Sequence, residues 1–219
     1  MADKPDRLQD LASQVRTPDV VDAMGRMHRH RCHINDLVSP TPGRVLLGPA
    51  VTISYLPSCE ETLPSEQFNF DRLFNDAIGD DGQGRVLVLA GNGHPDVSLG
   101  GGAKLSRLAV HGLAGVLADG RLRDFIQIAS YDFAAYCWGE TVKWGGDVVT
   151  PFEANRPVVV SGVTIRPGDC VFADASGAAV IPAAHVLSVF EEANRVVRDE
   201  AAFVEGIHQE DPADRRSGQ

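Results

Sequence analysis

Residues 100–124 read GGGAKLSRLAVHGLAGVLADGRLRD. Gly100-Gly101-Gly102 lead into a segment with Leu105, Leu108 and Ala109 at helical spacing, and Gly112 stops it. Ala114-Gly115-Val116-Leu117-Ala118 is then a short continuous apolar run, which suits a strand buried on both faces. Asp119-Gly120 ends that run, and Arg123-Asp124 follow a few residues later. Upstream, Arg85-Val86-Leu87-Val88-Leu89-Ala90 is a second run of the same kind. Strand, glycine loop, helix, strand and charged loop make a βαβ unit. In such sheets ligands collect at the carboxyl ends of the strands. The fold class is therefore α/β, with Arg123 and Asp124 at the mouth of a buried strand.

Outward from this centre the pattern stays regular. Thr17-Pro18-Asp19 predicts a helix start, with Thr17 as N-cap and Pro18 where no amide is missed, and the helix should fade near Gly25. Residues 44–56 read as a strand broken by Gly48-Pro49. Residues 68–78 read as a helix ended by the Gly79-Asp80-Asp81-Gly82 turn. Further on, residues 157–165 predict two short strands joined at Ser161-Gly162, and residues 170–174 and 177–182 two more. Val186, Val189, Ala193, Val196 and Val197 then give an amphipathic helix from Ala183 to about Glu205. No internal repeat or low-complexity linker appears. The expected organisation is an N-terminal polar segment (1–16), one α/β domain (17–206) and a polar C-terminal tail (207–219).

A chain of 219 residues with 43% hydrophobic and 23% charged residues is an ordinary globular composition. Its formal net charge of −10 argues against nucleic acid and against an anionic membrane surface, since no basic excess exists to displace counterions. An anionic small substrate needs only one local positive site and stays open. Cys32, Cys59, Cys137 and Cys170 form no CxxC pair, and residues 1–10 are polar. Reduced thiols and a cytoplasmic location are the expectation. The run His28 to His33 offers ligand-type side chains without zinc spacing.

The run from Gly112 to Asp124, with its DG-x-x-RD ending, resembles a signature of the 4-hydroxy-4-methyl-2-oxoglutarate aldolase family and the related regulator of ribonuclease activity A group. Some of that family's members carry an old label as menaquinone methyltransferases. Asp19 to Ala23, Gly48 to Thr52, Val163 to Asp169 and Ala173 to Pro182 match the family in the same order. The resemblance implies a swivelling β/β/α domain, assembled as a homotrimer or hexamer with sites at subunit interfaces.

It also implies roles for particular residues. Asp124 would be the protein ligand of Mg²⁺ or Mn²⁺, leaving open positions that a 2-oxo acid can chelate. The cation would act as a Lewis acid toward a pyruvate enolate. Arg123 would set a fixed positive fork beside the same oxygens. Gly101, Gly102, Ala103 and Lys104 would hold the substrate carboxylate through backbone amides at a helix start. On residue pattern alone, the Arg-Asp pair reads equally well as an exposed helix cap, and the glycines as a plain turn.

One position departs from the family. An acidic residue is expected with 20 residues between it and the arginine of the pair, and that place is Gly102. A missing acid removes proton-transfer help typically worth ~10²–10⁴-fold, and a glycine there is expected to enlarge the pocket. His94, Asp96 and Lys104 are candidates to replace it. Glu200 on the C-terminal helix is a candidate to reach a neighbouring subunit's site, although a solvated helix face reads as well. Three functions follow as expectations: a metal-dependent lyase on a 2-oxo acid, by aldol cleavage or oxaloacetate decarboxylation; an enzyme running other enolate chemistry in a biosynthetic pathway; or a non-catalytic ribonuclease-regulator-like binding protein.

Overall fold

The computed structural model describes residues 4–27 and 31–209, so His28 and His30 of the histidine-rich run lie outside the described residues. The chain forms two units, one of residues 31–186 and one built from the two ends of the chain.

The end unit is helical. It contains α1 (Lys4–Ala12), α2 (Thr17–Met27) and most of α6 (Val186–His208). The Asp19 carboxylate accepts the Arg16 amide at 2.7 Å, which satisfies a donor ahead of α2. That helix continues two residues past Gly25, where nothing approaches the missing Cβ. Asn194 donates to the Leu11 carbonyl at 3.0 Å, and Arg26 pairs with Glu192 at 3.2 Å. Val20, Ala23, Met24, Val189, Phe190 and Ala193 are fully buried, each large one contributing roughly 1.5–3 kcal/mol. A short 3-10 turn, Ala183–His185, comes before α6, which extends to His208 and so beyond the expected end near Glu205.

The larger unit carries the sheet. Its elements are β1 (His33–Ile34), β2 (Leu46–Pro57), α3 (Phe70–Ile78), β3 (Val86–Ala90), β4 (Ser98–Gly100), α4 (Gly102–Val110), β5 (Gly115–Asp119), β6 (Arg121–Leu122), α5 (Phe125–Ala129), β7 (Ala134–Tyr136), β8 (Val149–Ala154), β9 (Val158–Val160), β10 (Val163–Ile165), β11 (Cys170–Asp174) and β12 (Gly177–Ile181). The strand order is β1-β12-β11-β2-β3-β5-β7, with β8 also paired to β2. Neighbours from β2 to β7 are parallel, whereas β1, β12, β11 and β8 join by antiparallel pairing. The mixed α/β class and the βαβ unit around α4 are as expected. All five residues of β3 are buried, which is what a central strand covered on both faces requires. One face packs Phe70, Phe74, Leu105, Leu108 and Ile128 of the helices against it; the other carries Val158, Val160, Val163 and Ile165 of the β9–β10 hairpin.

Pro49 does not break β2, contrary to the expectation of an interruption at Gly48-Pro49. The Ala50 amide bonds to the Asp169 carbonyl at 2.8 Å, toward β11. Amides alternate sides along a strand, so the donor missing at Pro49 belongs to the β3 side. There the ladder begins only at Ala50 opposite Val86, and no bond is lost. Gly48 is required by close approach, since a Cβ there would lie 2.1 Å from the Gly84 carbonyl oxygen.

The four cysteines are free thiols. Burial pushes Cys170 up to about 12 and Cys137 up to about 11, and raises Cys32. Exposed Cys59 is pulled down instead, by the Thr62 hydroxyl and neighbouring amides. A thiol reagent at neutral pH should therefore label one cysteine quickly, with the other three reacting only in denaturant. Loss of the fast phase in Cys59→Ser is the check, and a second fast thiol in that variant would contradict the burial.

Candidate functional site

Asp124 is the centre of the site. It adopts the left-handed conformation, with φ 66° and ψ 46°, immediately before α5. Asp tolerates this region better than most residues, but it still costs on the order of 1 kcal/mol. Neighbouring hydrogen bonds fix it there. The Leu122 amide bonds to the Gly139 carbonyl and the Arg123 amide to the Gly100 carbonyl, both at 3.0 Å. The Phe125 amide goes to the Glu140 carboxylate at 2.9 Å, and the Asp124 carbonyl accepts the Ile128 amide at 2.9 Å.

The side chain is held as firmly. Asp124 Oδ2 accepts the Gly102 amide at 3.1 Å, and Arg123 Nε lies 3.8 Å from the same oxygen. Gly101, the N-cap of α4, offers no side-chain cap, so the Asp124 carboxylate serves that helix start from outside. A Cβ on Gly101 would sit 2.7 Å from Asp124 Oδ2. The glycine run is thus required by the approach of a carboxylate, beyond any need for a turn. The Gly102 amide is already taken, which leaves Ala103 and Lys104 with first-turn amides that no intrahelical carbonyl can satisfy.

These groups open onto a cleft of about 700 Å³, at the carboxyl ends of the parallel strands. Gly101, Ala103, Lys104, Arg123 and Asp124 all line it. Gly102 is buried behind the wall and does not enlarge the cleft as expected. The space a side chain would use at 102 holds Gln127, whose Oε1 would be 2.2 Å from an added Cβ. Gln127 Nε2 donates to Tyr131 Oη at 2.7 Å, and that hydroxyl donates to the Gly102 carbonyl at 3.1 Å. Gln127 and Tyr131 thus brace Gly102 at its carbonyl, while its amide grips Asp124.

Lys104 places its ammonium 5.5 Å from the centre of the Phe70 ring. Although the residue is exposed overall, partial burial of its charged end pulls the Lys104 pKa down. Asp71 opposes the shift, while Arg123 and Arg107 add to it. Asp71 itself is bound by Arg107 at 2.7 Å. His94 and Asp96 sit in the turn after β3 and are not among the cleft-lining residues; Glu200 lies exposed on the helical unit. Asp119 accepts the Ser161 amide at 3.3 Å and so ties down the β9–β10 turn, with burial raising its pKa against the pull of that amide and the Trp138 indole. Cys137 is core, whereas Trp144 lines the cleft and is 58% exposed.

Among the described residues no three His, Cys, Asp or Glu side chains converge as a ready-made cation cage. Asp124 is 41% exposed, and its Oδ1 takes no hydrogen bond from the described residues. That donor set fits Mg²⁺ or Mn²⁺, which accept one carboxylate and fill their remaining positions with water and substrate oxygens.

The family model described as Aldolase/RraA, of the RraA-like family, matches residues 17–180. Protein DlpA of Legionella pneumophila is 29% identical over 81% of this chain. A protein of Halalkalibacterium halodurans, provisionally named a 4-hydroxy-4-methyl-2-oxoglutarate aldolase, is 30% identical over 54% of it. The chain spans 28% of the length of the first and 56% of the second. Streptomyces coelicolor RraAS2, titled an unusual member of the RNase ES inhibitor RraA protein family, superposes with a TM-score of 0.79. That match is 22% identical and covers 94% of this chain and 99% of the other, which establishes a shared fold.

Gly101→Ala should push the Asp124 carboxylate aside while leaving the core intact. Displacing a group that orients a ligand typically costs roughly 10–100-fold in metal affinity. Mn²⁺ titration followed by electron paramagnetic resonance should show a loss of that order, with the unfolding temperature falling only by the few degrees that one lost helix cap costs. Affinity equal to the parent's would contradict the geometry.

Proposed function

Because the chain belongs to the RraA-like family, we propose that it is a divalent-metal-dependent lyase acting on a 2-oxo acid, by aldol cleavage, oxaloacetate decarboxylation or both. The observation that carries this reading is Asp124, left-handed in its backbone, its carboxylate held by the Gly102 amide and set beside Arg123 in one cleft. Strained backbone that the surroundings over-determine is characteristic of functional sites. Capping α4 occupies only Oδ2; the second carboxylate oxygen, left without a hydrogen bond from the described residues on a side chain that lines the cleft, favours the lyase over a ribonuclease-regulator-like role.

Asp124 would hold Mg²⁺ or Mn²⁺ through its free oxygen, and the bound cation supplies positive charge to the carboxylate and 2-oxo oxygens of the substrate. The chain's own groups do the rest. Arg123 and Lys104 give the 2-oxo acid head its local positive site in a chain of net charge −10. The first-turn amides of Ala103 and Lys104 add donors for the carboxylate. Arg123 opposes the negative charge that develops on the 2-oxygen as the bond to C3 breaks. In aldol cleavage the electron pair of the C3–C4 bond moves onto the C3 side as an enolate. The 4-hydroxyl proton passes to water in the open cleft, C4 becomes a carbonyl, and protonation at C3 gives pyruvate. Decarboxylation follows the same course, with carbon dioxide leaving in place of the carbonyl fragment.

His94, Asp96 and Glu200 have no part in this proposal on the geometry of one chain. Ile126 and Val142 are 91% and 93% exposed, within two residues of Asp124 and of the Glu140 that caps α5. Bare apolar side chains flanking the cleft support an assembly of copies, a homotrimer or hexamer, closing over it. A cytoplasmic location is proposed with it; no helix among the described residues is long and apolar enough to cross a membrane.

Pyruvate release from oxaloacetate and from 4-hydroxy-4-methyl-2-oxoglutarate should depend on Mg²⁺ or Mn²⁺. It should fall by more than about 10²-fold in Asp124→Ala and by about 10²-fold in Arg123→Lys, the scale expected when a fixed electrostatic group is removed. Full activity in Asp124→Ala would overturn the reading.

A further inference from the structure

The cleft is much larger than a pyruvyl group needs. Its volume of about 700 Å³ lies in the range that accommodates drug-sized ligands, about 300–1,000 Å³. Its charges are also unevenly distributed. Lys104 and Arg123 are the cations of the lining, close enough that Arg123 disfavours the charge on Lys104. They mark one end together with Asp124. The other charged groups of the lining, Glu60, Asp71 and Asp147, are all acidic.

The remaining lining sets an aromatic group among small polar residues such as Ser58, Asn69 and Thr150. Trp144 lines the cleft at 58% exposure, yet its backbone is fixed: residue 144 bridges to Ser98, and the Ser98 amide bonds to the Lys143 carbonyl at 3.1 Å. The indole lies across Gly146, where an added Cβ would come within 2.2 Å of the ring. Phe68 lines the same wall and is backed by Phe152, with ring centroids 5.7 Å apart. Tyr55 turns its hydroxyl to the Leu99 carbonyl at 2.8 Å, leaving its ring as apolar lining. An exposed tryptophan on a fixed backbone in a cleft wall is a binding platform for a flat apolar group. A second carboxylate placed there would meet Glu60 and Asp147 and no spare cation of the lining, since Asp71 is already paired with Arg107.

We propose that the substrate is a 2-oxo acid whose distal substituent is an uncharged aromatic ring seated on Trp144, in place of a second carboxylate. The inference rests on the lyase reading of the Arg123–Asp124 end. In aldol cleavage the carbon bearing the ring becomes the carbonyl carbon of an aryl aldehyde, and the other product is pyruvate, with the electron and proton balance given above.

The test is a binding comparison with Mg²⁺ present, using two ligands that share a head group and cannot be cleaved. These are 2-oxo-4-phenylbutanoate and 2-oxoglutarate, with oxalate as a head-only control. Calorimetry should show the phenyl ligand binding about tenfold tighter than 2-oxoglutarate, a difference of about 1.4 kcal/mol. Trp144→Ala should remove most of that difference while leaving oxalate affinity unchanged. Tighter or equal binding of 2-oxoglutarate, with oxalate still bound, would overturn this inference and leave the lyase reading standing. Failure of all three ligands to bind the metal-loaded protein would overturn both.

Discussion

The bond from the Gly102 amide to the Asp124 carboxylate joins two features that the sequence keeps 22 residues apart. One partner opens α4, the crossover helix of the βαβ unit; the other follows β5, the strand to which that helix leads. The contact therefore closes the unit on itself at the carboxyl edge of the sheet. Gly101 must lack a side chain for the carboxylate to arrive, Asp124 must accept a left-handed backbone, and Gln127 with Tyr131 must hold Gly102 at its carbonyl. Removing any one loosens the others, because a buried helix end needs an acceptor for its first amides.

Much of this was legible in the sequence. Apolar runs at 86–90 and 115–118 and the glycines around α4 specify a parallel pair with its crossover, since each level of pattern points the same way. Arg123 and Asp124 were found by their place after β5 and by resemblance. Residues 125–154 show no element pattern in the sequence, because their elements are short: five residues in α5, three in β7, six in β8. Segments of that length carry too little periodicity to announce themselves. Glu140, Gln127 and Tyr131 act through contacts made only after folding, and no local signal marks Glu140. An i, i+4 spacing of Gln127 and Tyr131 just beyond the Arg-Asp pair was the one available hint.

Pro49 shows the opposite failure. A local rule for proline was right about the missing amide but silent about which neighbour that amide would have faced. Gly102 follows the same logic. Its lack of a side chain suggested space, whereas a residue 25 positions later fills that space. In both cases the tertiary partner decides the consequence of the substitution, and only the sequence side of the contact was visible.

The chemistry of the cleft follows from an asymmetry of charge. In a chain with net charge −10, the lining gathers its two cations around one fixed carboxylate, and its other charged groups are all acidic. Such a site orients an anionic head and discriminates by what the tail carries. The most direct test of the central claim is a crystal structure with Mn²⁺ and oxalate, read by anomalous scattering at the manganese edge. The account predicts one manganese per site, about 2.1–2.2 Å from an Asp124 carboxylate oxygen, with oxalate facing Arg123. Manganese bound elsewhere, with Asp124 still occupied only by the Gly102 amide, would contradict it.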